Sequence, residues 1–447
     1  MHATDRSIVN DLDERITAVD PDWAFLGLEK RTGAHSLIKY PAMMVPAMQS
    51  ELLTSVRKAV PRTRHVCDPF LGSGTALTEA IASGFDFTGF DLNPLALLIS
   101  KVKAGPFDVA ALAQTADEVA ARIARDKSSR YEFNFVGMNK WLLRSNIIGL
   151  SKISRAVQPI SSAHIRRFFW VALAETIRCT SNSRPSIYKL HLRMAEDIES
   201  LQSASIPRFL EVIDRNIECL RQEAARLRAA GRLSRNRYNG KVSLSCVDAR
   251  ELKTHTKLKK EIDLVLTSPP YGDNRTTVPY GQFSYLALSI IPTVDIDPSL
   301  ADFEVGNTNS LDAASLGGKL KNARRNSEPL RDICPEYGAL IDTLLRLDSS
   351  QNAAGRWAAY CGDLNTSIAG ICSKRRKGGY SIWTIGERNL CRQNVPLVEV
   401  LTALHSEAGA SLIHVFQRTI PVKRLPRKND LGDLMSREQI CVFRMTQ

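Results

Sequence analysis

The sequence predicts an α/β fold built on a mostly parallel sheet, and three observations carry that prediction. A short strand signal, His65–Asp68, runs straight into a glycine loop, Pro69–Thr75. A helical segment, TALTEAIASG, and a second short strand, DFTGFD, follow it and end at Asp91. Strand, glycine loop, helix, strand is the opening of a parallel sheet. Further on, KVSLSCVD (241–248) and EIDLVLTSPPY (261–271) each carry a β-branched apolar run that ends in a polar turn.

The chain of 447 residues, 44% of them hydrophobic, can fill one large core with insertions or two to three domains. The formal net charge of +13 favours a polyanionic partner. Nine cysteines, an odd number without a CxxC pair, argue against a zinc knuckle or a disulfide framework and for a reducing compartment. The opening MHATDRSIVNDLDER is polar and acidic, unlike a signal peptide, and no uncharged apolar run reaches membrane-spanning length. A soluble, cytoplasmic protein with no membrane partner is expected. The eight histidines lack metal-ligand spacing, so no metal site is expected.

Taken in order, residues 1–60 read as a helical, partly irregular lead-in, with a helix expected from Pro46 to Val60. TALTEAIAS should close on Gly84. Residues 107–240 read as a helical insertion. Val109, Leu112, Ala116, Val119 and Ile123 make one stripe. A second helix should start at Ser205 and Pro207, as cap and first-turn residues, and stop before Gly231. Between 140 and 240 there are 18 Lys and Arg against 8 Asp and Glu, so most of the excess positive charge lies here. Phe168-Phe169-Trp170 read as helix core, and Arg232, Arg235 and Arg237 as candidate phosphate contacts. Residues 61–106, 241–290 and 371–447 carry the α/β pattern. Residues 291–370 form a loop-rich insertion in which Lys319, Lys321, Arg324 and Arg325 are further candidate phosphate contacts. Lys374–Lys377 should be a solvated turn before a strand, GGYSIWTIGE. PLVEVLTALHSEAG reads as a helix, and ASLIHVFQR with EQICVFRM as an edge pair.

Two motifs carry chemistry. In Asp68-Pro69-Phe70-Leu71-Gly72-Ser73-Gly74-Thr75, glycines let the backbone turn tightly and approach a ligand, and the following helix N-terminus aims N–H groups at it. Asp91, 17 residues after Gly74, is placed to accept both hydroxyl hydrogens of a ribose. The loop lacks the third glycine of the dinucleotide fingerprint and the Walker lysine, so a nucleoside cofactor without pyrophosphate suits it. In Thr267-Ser268-Pro269-Pro270-Tyr271, two prolines remove two donors, leaving carbonyls and the Ser268 hydroxyl to accept hydrogen bonds from an amino group. Tyr271 offers a flat face for stacking.

With these residues in view, the sequence resembles the S-adenosylmethionine-dependent DNA methyltransferases that modify cytosine N4 or adenine N6. Asp68–Thr75 matches their D-P-F-x-G-S-G-T loop, Asp91 in GFDLNP (with Asn93) their ribose-binding acid, and Asp248 in SCVDAR the residue that meets adenine. Ser268, Pro269, Pro270 and Tyr271 match the motif that holds the target base. Tyr40-Pro41-Ala42-Met43-Met44 is similar to their Y-P-A-K-F segment, with methionine at the lysine position. Lys423-Arg424 and Arg437-Glu438-Gln439 resemble the family's tail. The resemblance implies a Rossmann-like class I methyltransferase with a mostly parallel seven-stranded sheet, an antiparallel edge hairpin and a helical insertion. It implies S-adenosyl-L-methionine as cofactor, double-stranded DNA as substrate and, for a restriction-modification pair, a separately encoded endonuclease. The SPPY form resembles the cytosine-N4 enzymes. Adenine N6 stays open, as do an RNA guanine-N2 enzyme and a non-catalytic DNA-binding module. The base must then be flipped out of the duplex.

Overall fold

The computed structural model describes residues 2–19, 23–25, 31–256, 258, 262–272, 277–347, 352–420 and 437–446. Lys423 and Arg424 lie outside the described residues. Seven strands form one sheet: β1 His65–Asp68, β2 Asp86–Asp91, β3 Val242–Cys246, β4 Ile262–Thr267, β5 Arg375–Gly386, β6 Ala410–Thr419 and β7 Arg437–Met445. Their spatial order is β3-β2-β1-β4-β5-β7-β6. Strands β1 to β5 pair in parallel, and β7 runs antiparallel to both β5 and β6. The expected edge pair is present, with β7 inserted between β5 and β6. This is the class I Rossmann-like methyltransferase architecture. Because the order reverses at β1, a crevice opens beyond the carboxyl ends of β1 and β4, where such sheets bind ligands.

Period-2 alternation along the strands explains the two cores. Val66, Leu264, Leu266, Ile382, Ile440 and Val442 face one side of the sheet. Cys67, Val265, Trp383, Cys441 and Phe443 face the other. The first side is covered by the lead-in helices α1 Ala3–Val19 and α2 Pro46–Ala59, by α3 Thr75–Ser83 and α4 Pro94–Lys103, and by the 107–240 helices. Of these, α5 is Val109–Arg125, α6 Arg144–Val157, α7 Ala163–Thr180 and α8 Ser205–Ala229, and beside them packs α9 Tyr280–Leu288. The second side is covered by α10 Pro335–Leu347, α11 Asn352–Cys372 and α12 Leu397–Glu407. Among the described residues no helix is long and apolar enough to cross a membrane, and no His/Cys/Asp/Glu group could hold a metal ion. All nine cysteines are free thiols.

The helical insertion is continuous with the core of the sheet's first face. In α5, Leu112, Val119 and Ile123 are buried, as their spacing requires. Phe168, Phe169 and Trp170 are fully buried, and the Trp170 indole donates to Asp295 at 3.0 Å, tying α7 to the later insertion. An ionic cluster fixes α8 to α3: Arg226 pairs with Glu79 and Glu223, and His35 pairs with Glu79. Lys103 beside it is buried, which pushes its pKa down to about 7.

Three sequence expectations change. Ala204, not Ser205, takes the N-cap position of α8, and the Ser205 N–H is instead received by the Asn146 side chain. Arg232, Arg235 and Arg237 belong to a hairpin, Leu233–Ser234 against Arg237–Tyr238, that rests against the start of β2. Arg232 donates to Ala82 and Tyr238 to Phe85, at the sheet end opposite the crevice. Arg375 is not a solvated turn residue: it opens β5, is buried, and donates to the Gly379 carbonyl, while Arg376 pairs with Asp263.

Truncating Trp170 to alanine should therefore remove a buried ring and a bridging hydrogen bond, costing about 3–5 kcal/mol. Denaturant unfolding of the variant checks this; a change below about 1 kcal/mol would mean that α7 is not packed into the sheet's core.

Candidate active site

The cofactor loop is shaped by its ends. Asp68 closes β1 and caps the turn, its Oδ1 accepting from the Phe70 amide at 3.0 Å. The Leu71 N–H reaches back to the Phe90 carbonyl of β2, and the Gly74 N–H to the Leu71 carbonyl. The turn needs left-handed backbone at Gly72 (φ +49) and at Gly74 (φ +74), which opens α3. A Cβ at Gly74 would also come within 2.8 Å of the Ser100 hydroxyl.

Asp91 ends β2 beneath this loop. One carboxylate oxygen accepts from the Gly72 amide at 2.7 Å and the other from the Asn93 amide at 2.8 Å. Each oxygen keeps a further lone pair for a ligand hydroxyl. Burial pushes the Asp91 pKa up to about 6, against the pull of the two amides.

The second motif meets the first directly. Strand β4 pairs with β1 through Val66 with Leu264 and Cys67 with Val265. The Thr267 hydroxyl at the end of β4 donates to Asp68 Oδ1 at 2.5 Å. Asp68 is fully buried and its Oδ2 has no hydrogen-bond partner among the described residues. Burial raises its pKa to about 7, although the bonds from Thr267 and Phe70 pull it down.

An open cleft with about 910 Å³ of empty space lies over these ends. Its walls gather Tyr40, Pro41, Pro69, Phe70, Gly72, Ser73, Thr75, Asp91, Asn93, Asp248, Ser268 and Pro270, from five separated stretches of chain. Asp68 and Gly74 adjoin the lining residues of the loop, and Pro269 lies between the lining residues Ser268 and Pro270. Tyr271 does not line the cleft; its hydroxyl points to Glu438. The Pro270 carbonyl receives the Tyr360 hydroxyl at 2.7 Å.

Two of the expected ligand contacts are engaged by the protein itself. Asn93 caps α4 through Leu95, and its amide donates to Ser284 at 2.7 Å and to Tyr40 at 3.3 Å. Asp248 pairs with Arg250, whose guanidinium also holds Asp363 and the Ala314 carbonyl. The motifs did not point to Tyr280, Gly281, Asp312 and Leu316, which also line the cleft. Asp312 is buried and accepts from the Gly281 amide at 2.8 Å, while Tyr280 stacks on Tyr40.

The cleft wall thus carries three carboxylates, Asp91, Asp312 and the Arg250-paired Asp248, in a protein of net charge +13. With the orphaned Asp68 oxygen beneath the loop, this donor set suits a cationic ligand bearing ribose hydroxyls, as S-adenosylmethionine does.

No family model matches the chain. Among curated proteins it is 27% identical over 434 residues to the type II methyltransferase M.MvaI of Kocuria varians, covering 95% of this chain and 92% of that protein. Among solved structures, the rRNA methyltransferase aviRa of Streptomyces viridochromogenes aligns over 90% of this chain and 86% of that one, with 11% identity and a TM-score of 0.33.

The buried carboxylates give a signed pH dependence. Unfolded, Asp68 and Asp91 ionise near the ordinary value of 3.8; folded, they hold protons up to about 7 and about 6. Between those limits the native state binds more protons, so stability of the ligand-free protein should fall as pH rises from about 4 to about 7. Asp68→Asn should flatten that slope by on the order of 2–4 kcal/mol, as read from denaturant midpoints at pH 5 and pH 8. Gly74→Ala should weaken cofactor binding at least about tenfold by calorimetry, since both φ and space oppose it. The fold and the cleft at its switch point are those of a class I, S-adenosylmethionine-binding methyltransferase.

Proposed function

We propose that the protein is a site-specific DNA methyltransferase that modifies the exocyclic N4 of a flipped cytosine. One observation carries the reading: the Ser268–Pro270 turn and the Gly72–Ser73 loop open into one cleft. The likeness to a type II methyltransferase of Kocuria varians supports a DNA substrate and a companion restriction endonuclease.

When bound, the cofactor supplies a methyl group activated by a sulfonium. The chain's own residues do the rest. Asp91 receives the ribose hydroxyls on its spare lone pairs, and the Gly72–Ser73 backbone faces the methionine part. Because Arg250 occupies the Asp248 carboxylate, the adenine side falls to the Asp248–Ala249 backbone and to Leu92 and Leu316. The carboxylates favour the cationic cofactor over its neutral-sulfur product, which assists turnover.

The amino nitrogen of cytosine is a poor nucleophile because its lone pair is delocalised into the ring. Ser268 Oγ and the Pro269 carbonyl each accept one amino hydrogen, which frees that lone pair and stabilises the positive charge developing on nitrogen. The proton leaves once the nitrogen has become cationic, so no strong base is needed beforehand. The same acceptors would serve adenine N6, and the product decides between the two.

A duplex cannot bring a stacked base into this cleft, so the base must be extruded. We place the backbone contacts at the cleft rim. Lys319, Lys321, Arg324 and Arg325 are exposed and follow Ser315 and Leu316 of the cleft wall. Arg184 and Lys189 are exposed on the 183–192 loop, whose Leu190 amide is held by Gln282 of α9. The Arg232–Arg237 hairpin lies at the far end of the sheet and is not part of this proposed surface.

Digestion of DNA treated with the protein and labelled cofactor should yield N4-methylcytosine by mass measurement; N6-methyladenine would overturn the base assignment. Ser268→Ala should slow transfer by about 10- to 100-fold, equivalent to one lost hydrogen bond in the transition state. Neutralising Lys319, Lys321, Arg324 and Arg325 should weaken DNA binding at all sequences and reduce the salt dependence by about one unit per lost phosphate contact. An unchanged salt slope would move the DNA elsewhere.

A further inference from the structure

The acceptor turn continues into a hydrogen-bonded chain that ends on the last strand of the sheet. Ser268 Oγ donates to the Tyr271 hydroxyl oxygen at 3.3 Å. The Tyr271 hydroxyl donates to Glu438 Oε1 at 3.0 Å. Arg418 Nε lies 2.9 Å from Glu438 Oε2, and Arg418 is buried. Glu438 is the second residue of β7, directly across from Arg418 on β6 and Gly386 on β5. Because β7 alone runs antiparallel, its first residues lie at the carboxyl ends of the parallel strands. An acid from a strand 167 residues away in sequence therefore reaches the proline turn.

The polarity of this chain matters more than its length. A hydroxyl has one proton and two lone pairs, while a carboxylate paired with an arginine only accepts. The Tyr271 proton is committed to Glu438, so the tyrosine oxygen takes the Ser268 proton. Ser268 is then left with its lone pairs for the cleft. We propose that Glu438 is a positioning residue: acting through Tyr271, it fixes Ser268 as a hydrogen-bond acceptor for the substrate amino group, and Arg418 holds Glu438 in place. The inference rests on the amino-methyltransferase reading. It assigns the tyrosine hydroxyl a task separate from any stacking by its ring.

A mere staple between strands would lower stability and cofactor binding together with rate; a positioning residue lowers the transfer rate selectively. The test compares wild type, Glu438→Ala, Glu438→Gln, Tyr271→Phe and the Glu438→Ala/Tyr271→Phe double variant. Single-turnover methyl transfer is measured at saturating S-adenosylmethionine on whichever base the wild type modifies, with cofactor affinity taken by calorimetry. Glu438→Ala and Tyr271→Phe should each slow transfer by about 10- to 100-fold, with cofactor Kd within about twofold of wild type. The double variant should be no slower than the slower single one, because both remove the same chain. Glu438→Gln, which keeps an acceptor oxygen, should recover most of the rate. Wild-type transfer by Glu438→Ala, multiplicative losses in the double variant, or a loss of cofactor affinity equal to the loss of rate would each overturn the proposal. If Glu438→Ala does not fold, Tyr271→Phe leaves the Glu438–Arg418 pair intact, and an unimpaired rate in that variant overturns it equally. A wild type that modifies adenine would overturn the cytosine assignment and leave this comparison unaffected.

Discussion

The hydrogen bond from the Thr267 hydroxyl to Asp68 joins the carboxyl ends of two neighbouring parallel strands, and the site depends on it. Asp68 begins the cofactor loop, and Thr267 immediately precedes the acceptor turn. Hydrogen-bonded strands sit about 4.8 Å apart, so this single contact sets the two halves of the chemistry side by side. The parallel register of β1 with β4 supplies the distance, and the reversal of strand order at β1 supplies the opening.

Charge gives the cleft its selectivity. A protein with a large positive surplus gathers acids in one cleft and, among the described residues, leaves an oxygen of the buried Asp68 without a hydrogen-bond partner. Isolated buried carboxylates are costly, which is why Asp68 and Asp91 hold their protons to unusually high pH. A cationic ligand relieves that cost. The basic surface suits a phosphate backbone, while the acidic cleft suits a sulfonium nucleoside.

The strand–loop–helix opening, the acid at the end of β2 and the proline turn were legible in the sequence because each is local. Their residue types follow from backbone geometry and strand periodicity within a few positions. The element order was legible as well, down to Gly84 closing α3 and a proline opening α2. What the sequence concealed is what depends on topology. Asp312 sits in an unremarkable LDAAS segment and becomes a cleft wall only because the first turn of α9 packs against it through the Gly281 amide. Glu438 gains meaning only from the antiparallel insertion of β7. Arg232, Arg235 and Arg237 look like a phosphate-binding cluster in a polar loop, yet the hairpin folds against the opposite end of the sheet. Arg375, in a run of four cations, is buried because β5 begins three residues earlier than its glycines suggest.

The central claim is that one pocket is built from two motifs 200 residues apart, welded at Thr267 and Asp68. Its most direct test is the calorimetric affinity of Thr267→Val for S-adenosylmethionine, measured beside Asp68→Asn and the double variant. The account predicts that Thr267→Val weakens binding by about tenfold, although Thr267 lies outside the cofactor loop, and that the double variant is no weaker than Asp68→Asn. Wild-type affinity in Thr267→Val, or fully additive losses, would contradict it.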